Sequence, residues 1–136
     1  MRKSMLAIIT AIAVLVCIHS PAAQQTPPAA ASGIKRTPLQ RFDVPGTAYE
    51  TVIGIAEIAP NVAIGRHTHP GPESGYVMRG SFELLIDGEP PRPMKAGDSY
   101  KVPPSTAHDA KSGGDGATVI ATYVVEKGKP LSSAAP

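Results

Sequence analysis

The chain has 136 residues and a formal net charge of +2, from 13 Lys and Arg against 11 Asp and Glu. Arg2 and Lys3 account for the excess, and no basic cluster remains beyond Lys35-Arg36, which argues against a nucleic-acid partner. Cys17 is the only cysteine, so an intrachain disulfide is excluded.

Residues 1–23 read as a signal peptide. Arg2-Lys3 form a positive start, Met5 to Ile18 is a nearly unbroken apolar run, and Ser20-Pro21-Ala22 offers small residues for cleavage. The run falls short of the roughly 20 residues that a membrane-spanning helix needs. A buried helix or an uncleaved anchor are the alternative readings. Val16 stands before Cys17 where a lipoprotein signal wants a small residue. The pattern implies an exported protein, periplasmic or secreted, with no stable membrane anchor after cleavage. Residues 24–36 are rich in Ala, Pro and Gln without an apolar period, and read as a disordered linker.

From residue 37 to 128 the chain shows strand signals and no helical period, enough for a single domain. Glu50 to Ile58 is β-branched and apolar, and Val62 to His69 is a second strand. Gly75–Arg79 and Phe82–Asp87 flank Gly80-Ser81, a hairpin signal; Phe82, Leu84 and Ile86 alternate with more polar neighbours, which predicts one buried face. Asp87-Gly88-Glu89-Pro90 is a turn signal, Ser99 to Val102 a short strand, and His108 to Lys111 another. Ser112–Gly116 reads as a turn before the longest β run, Ala117 to Glu126. Residues 129–136 are expected to be a disordered tail. Many short strands with Gly/Pro punctuation predict an all-β sandwich or barrel.

Within this pattern lies His67-Thr68-His69-Pro70-Gly71-Pro72-Glu73, with His108 further on after Pro103-Pro104. Two histidines two positions apart on a strand share a face, together with Ala63 and Gly65 if the strand is regular. The only other histidine, His19, falls in the leader. His67, His69, Glu73 and His108 therefore form a ligand set for one divalent transition metal: Fe, Mn, Ni, Cu or Zn, but not Ca. Tyr76, Tyr100, Tyr123, Met78 and Phe82 are candidates either for lining a pocket or for filling the core, and Tyr76, Phe82 and Tyr100 are the substrate-binding candidates.

The residues resemble the cupin superfamily. Its first motif runs from a glycine through His-x-His and a glutamate to a closing glycine; His67, His69, Glu73 and Gly80 match, and Asn61 stands in place of the opening glycine. In its second motif Gly97, Pro103 and His108 match, whereas Ser105 replaces a glycine and Ser112 an asparagine. The resemblance implies a single-domain jelly-roll β-barrel, the four metal ligands named above, subunits paired sheet against sheet as a homodimer, and a small-molecule ligand or substrate. It leaves two functions open. One is a metal-dependent enzyme of the dioxygenase, lyase, isomerase or decarboxylase class acting on a small oxygenated molecule. The other is a cupin that binds a metal or small ligand without turnover.

Overall fold

The computed structural model describes residues 33–136. The expected leader and all but the end of the expected linker lie outside that range. Among the described residues the chain is all-β: β1 (Ile34–Asp43), β2 (Tyr49–Ile58), β3 (His67–Thr68), β4 (Glu73–Ile86), β5 (Arg92–Lys95), β6 (Ser99–Val102), β7 (His108–Glu126) and β8 (Ser133–Ala134). No helix in this range is long and apolar enough to cross a membrane.

Two long strands organise everything else. The first half of β4 pairs with β6 on one side and with the second half of β7 on the other, and β7 continues to β2 and then β1. The second half of β4 pairs with β5 and with the first half of β7, which continues to β3 and β8. β4 and β7 thus each belong to two sheets, which curl into a jelly-roll half-barrel. Strands can change sheet in this way only through a bend or bulge.

The bends explain two corrections. Gly80-Ser81 is no hairpin, because β4 runs through it. Ser112–Gly116 does not end a strand, because β7 resumes its ladder with β4 at Ala117. Gly80 (φ 73°) and Gly116 (φ 70°) take left-handed backbone, and a Cβ on Gly80 would sit 2.0 Å from the Gly116 carbonyl oxygen. Glycines at such a close crossing mimic a turn signal in sequence.

Phe82, Leu84 and Ile86 are buried as their alternation requires, and pack with Val77, Met94, Val102 and Val119 between the sheets. The strand expected over Val62–His69 is cut to His67–Thr68. Gly65 (φ 96°) breaks the alternation, so Val62 and Ile64 face the core while Ala63 and Gly65 are exposed. The small residues before the histidines therefore do not line their face.

Both ends of the predicted domain also need correction. Ile34–Arg36, placed in the linker, opens β1; Ile34 is buried against Ile58, and Lys35 pairs with Glu57 at 2.9 Å. The tail expected over 129–136 forms β8, which pairs with β3. Backbone pairing outweighs composition at both places.

The two glycine departures keep glycine's conformation. Asn61 (φ 59°) and Ser105 (φ 57°) are the only non-glycine residues with positive φ among those described. Asn visits that region readily and Ser less so. Ser112, where the motif has asparagine, ties the β2–β3 connection down: its hydroxyl donates to Ala59 O at 2.6 Å and accepts from Val62 N–H at 3.0 Å.

Candidate metal centre

The barrel brings the three histidines together from two elements. Pairing of β3 with β7 sets His67 opposite His108, and His69 follows as β3 ends. Ser105 N–H donates to His69 O at 2.8 Å, which ties the His69 backbone to the loop before β7. One nitrogen from each ring lies within 4.8 Å of one from each of the others. His69 and His108 are buried, and His67 is half-buried.

The tautomers follow from the partners. His67 Nδ1 meets Gly65 O at 2.7 Å, His69 Nδ1 meets Leu131 O at 2.7 Å, and His108 Nδ1 meets Thr106 O at 3.0 Å. A carbonyl oxygen only accepts, so each Nδ1 carries hydrogen and donates. In the neutral ring each Nε2 then presents a lone pair. Such second hydrogen bonds orient metal-binding histidines.

Glu73, the first residue of β4, lies beside two of the three histidines. Its Oε2 lies 3.1 Å from His69 Nε2 and 3.2 Å from His108 Nε2, while its Oε1 accepts from the Tyr100 hydroxyl at 2.9 Å. Despite that proximity, His69 Nε2 is buried without a hydrogen-bond partner among the described residues. Two acceptors face one another there, and only a proton or a cation between them relieves the repulsion. Three imidazole lone pairs beside a carboxylate suit a divalent transition metal.

The electrostatics point the same way. Burial pushes the Glu73 carboxyl up, but the His108 hydrogen bond and the His69 imidazole beside it outweigh that and bring it down to about 2. Burial, with two neighbouring imidazoles, holds His67 down to about 4. Burial also opposes charge on His108, but the Glu73 hydrogen bond and the Thr106 carbonyl win and raise it. The phenols of Tyr100 and Tyr123 are pushed up by burial and by the Glu73 charge, so both keep their protons.

The aromatic candidates divide. Tyr100 reaches the cluster through Glu73. Tyr123, left between pocket and core by its sequence, packs on His69 with ring centroids 4.6 Å apart. Phe82 is in the core, edge-on to Tyr100 at 5.8 Å. Tyr76 and Met78 lie on the outer face, about half exposed, because β4 turns Glu73, Gly75 and Val77 inward. The Leu131 carbonyl escaped the sequence reading altogether, since no side-chain pattern signals a backbone acceptor. Two shallow grooves, about 480 and 350 Å³, lie elsewhere and include none of the clustered side chains. Convergent lone pairs locate the site better than surface concavity does.

A β-barrel with this cluster is the architecture of a cupin, and the comparisons agree. The family model described as the cupin domain matches residues 54–126, more than half the chain, so the protein belongs to the cupin superfamily. No curated protein matches the sequence. Among solved structures, an RmlC-like cupin from Shewanella frigidimarina is 24% identical, with a TM-score of 0.58 over 72% of this chain and 81% of that one. KdgF from Halomonas sp. is also 24% identical, with a TM-score of 0.58 over 71% of this chain and 82% of that one. DMSP lyase DddQ from Ruegeria pomeroyi is 18% identical, with a TM-score of 0.57 over 62% of this chain. The match spans only 42% of that lyase. At these identities the likeness is one of fold.

Proposed function

We propose that His67, His69, His108 and Glu73 hold one divalent transition metal, and that the protein is a metal-dependent enzyme on a small oxygenated molecule. The observation that carries this reading is the buried, unpartnered Nε2 of His69 facing Glu73. A divalent ion there supplies a Lewis acid for a substrate oxygen. The chain's own residues do the rest. The backbone carbonyls fix the rings, Glu73 balances the charge, and the protonated phenols of Tyr100 and Tyr123 offer hydrogen bonds. The reaction class remains that of a dioxygenase, lyase, isomerase or decarboxylase. The solved lyase DddQ is one enzyme of this fold.

The second reading is a cupin that binds without turnover. It is favoured by the poverty of bases: Glu73 is held as a carboxylate between histidines, and both phenols hold their protons. Elemental analysis of the native protein, then turnover screening of the metal-loaded protein against phenolic, keto and dicarboxylate compounds, separates the two. Metal with turnover supports the enzyme, metal without turnover the binding protein, and a protein that takes up no ion defeats the metal-dependent enzyme and leaves only a binder of small ligands.

Export and dimerisation belong to the same proposal. The leader pattern supports a periplasmic or secreted protein; N-terminal sequencing of the mature form tests it, with a start near Ala23 expected. Exposed Phe42, Tyr76 and Met78 on the outer face support a homodimer joined there. A monomer in sedimentation at micromolar concentration counts against it.

A further inference from the structure

Glu73 has two carboxylate oxygens, and the fold treats them differently. Oε2 faces the histidines, 3.1 Å from His69 Nε2 and 3.2 Å from His108 Nε2. Oε1 turns the other way and accepts from the Tyr100 hydroxyl at 2.9 Å. A phenol has one hydrogen to donate, and this contact uses it. Tyr100 stands at no matched position of either cupin motif, and neither does Gly75, the residue beneath its ring.

The reach of Tyr100 to Glu73 follows from register. On β6, Val102 lies opposite Glu73 and Tyr100 lies opposite Gly75. Tyr100 is therefore a diagonal neighbour of Glu73. Such neighbours stand about 7–8 Å apart, a gap that an aromatic side chain spans by leaning along the sheet. Gly75 is what lets it lean. Gly75 is buried between Glu73 and Val77 on the inward side of β4. A Cβ there would lie 2.2 Å from the Tyr100 ring and 2.5 Å from its hydroxyl oxygen.

The neighbours keep the ring in that seat. On the other flank of β4, Gly75 faces Ala121, a second small residue. Phe82 stands edge-on to Tyr100, with ring centroids 5.8 Å apart, and the ring packs against the core. Phenylalanine would fill the same volume. What the hydroxyl adds is the bond to Oε1.

We infer that Tyr100 is a positioning residue of the metal centre: seated on Gly75, it holds Oε1 of Glu73 and leaves Oε2 as the single oxygen offered to the ion. Glu73 then fills one coordination position instead of two. This inference rests on the metal-centre reading, and its test separates the two.

The experiment is infrared difference spectroscopy of the full chain, zinc-loaded minus zinc-free, with zinc content measured on every sample. Carboxylate bands that vanish in Glu73→Gln at saturating zinc belong to Glu73. In the parent, its antisymmetric and symmetric stretches should lie far apart, as for a carboxylate bound through one oxygen. In Tyr100→Phe, which keeps the ring, they should draw together as Oε1 joins Oε2 on the ion. Gly75→Ala keeps the hydroxyl but displaces the ring, and should draw them together in the same way. Tyr76→Phe, on the outer face of the same strand, should leave them as in the parent. A parent with the narrow pair or with no Glu73 bands overturns the inference, and so does zinc-loaded Tyr100→Phe with the wide pair. If Tyr100→Phe fails to fold, Gly75→Ala decides by the same criterion. A parent that takes up no zinc overturns the metal-centre reading and this inference with it.

Discussion

His69 Nε2 and Glu73 Oε2 face each other across 3.1 Å as two acceptors, because the imidazole has already committed its Nδ1 hydrogen to Leu131 O. His108 repeats the arrangement at 3.2 Å on the same carboxylate oxygen. A proton on Nε2 would relieve such a contact, and Glu73 with the Thr106 carbonyl raises His108 against burial, which favours the proton there. Metal binding should therefore compete with protons at this ring. Titrations in two buffers of different ionisation enthalpy should give different apparent heats, because proton release accompanies ion uptake. Identical heats in the two buffers would contradict the assignment.

The ligands should not contribute equally. His67→Ala, His69→Ala and His108→Ala each remove a converging lone pair, and should abolish stoichiometric metal uptake together with the metal-dependent rise in Tm. Glu73→Gln keeps an oxygen but loses the charge, and should weaken binding by about 10- to 100-fold. If the double variant His67→Ala/His69→Ala still binds one equivalent, the site is elsewhere.

Acid should destabilise the metal-free protein in two stages. His67 is held near 4 in the fold against an ordinary 6.5, so the unfolded chain takes up that proton first. The resulting stability is complete above about pH 6.5 and is lost as the pH falls towards 4. Glu73, near 2 against an ordinary 4.5, adds stability that is lost as the pH falls from about 4.5 to 2. His108 works in the opposite sense: its contribution is complete below 6.5 and fades as the pH rises through its raised folded value. Chemical denaturation across pH 3–8 checks this. His67→Gln should flatten the upper part of the acid limb.

Ser105 occupies left-handed backbone at a position where glycine is the easier residue. Left-handed backbone costs a side-chain-bearing residue about 1–2 kcal/mol, of which glycine returns part through its freer unfolded chain. Ser105→Gly should raise stability by about 0.5–1 kcal/mol without changing metal affinity. Asn61→Gly should be nearly neutral, since Asn tolerates the same region. Equilibrium denaturation of both variants measures the difference.

The last segment should matter to the metal. Deleting residues 129–136 removes the Leu131 carbonyl from His69 and strips β8 from β3. Metal affinity should fall about 10- to 100-fold, as it does when such supporting hydrogen bonds are lost. Unchanged affinity in the shortened protein would show that His69 is held by its packing on Tyr123 instead.

Much of the site could be read from sequence because its information is local. His67, His69 and Glu73 sit within one short segment, and side-chain types alone identify them. What the sequence hid is non-local. Whether Gly80 turns the chain or bends a strand depends on Gly116 crossing it, so the glycine looked the same in both cases. Alternation over Val62–His69 failed at Gly65, where one residue of positive φ reversed the inward set. Tyr123 was within reach: Val119, Ala121 and Val125 are buried on β7, and the same alternation carries Tyr123 inward. Tyr76 misled because proximity to Glu73 along the chain does not survive the pleat.

His69 is fixed by the carbonyl of Leu131, a residue 62 positions later in the chain. A polypeptide is made from its N-terminus at roughly 5–20 residues per second. The His69 imidazole therefore waits several seconds for its last support. During that interval a passing ion meets loose histidines on an unclosed chain, not a shaped centre. Only when Leu131 has been added and β8 has docked does the protein discriminate between ions by geometry. On the metal-centre proposal, the compartment that holds the finished chain at that moment would supply its ion.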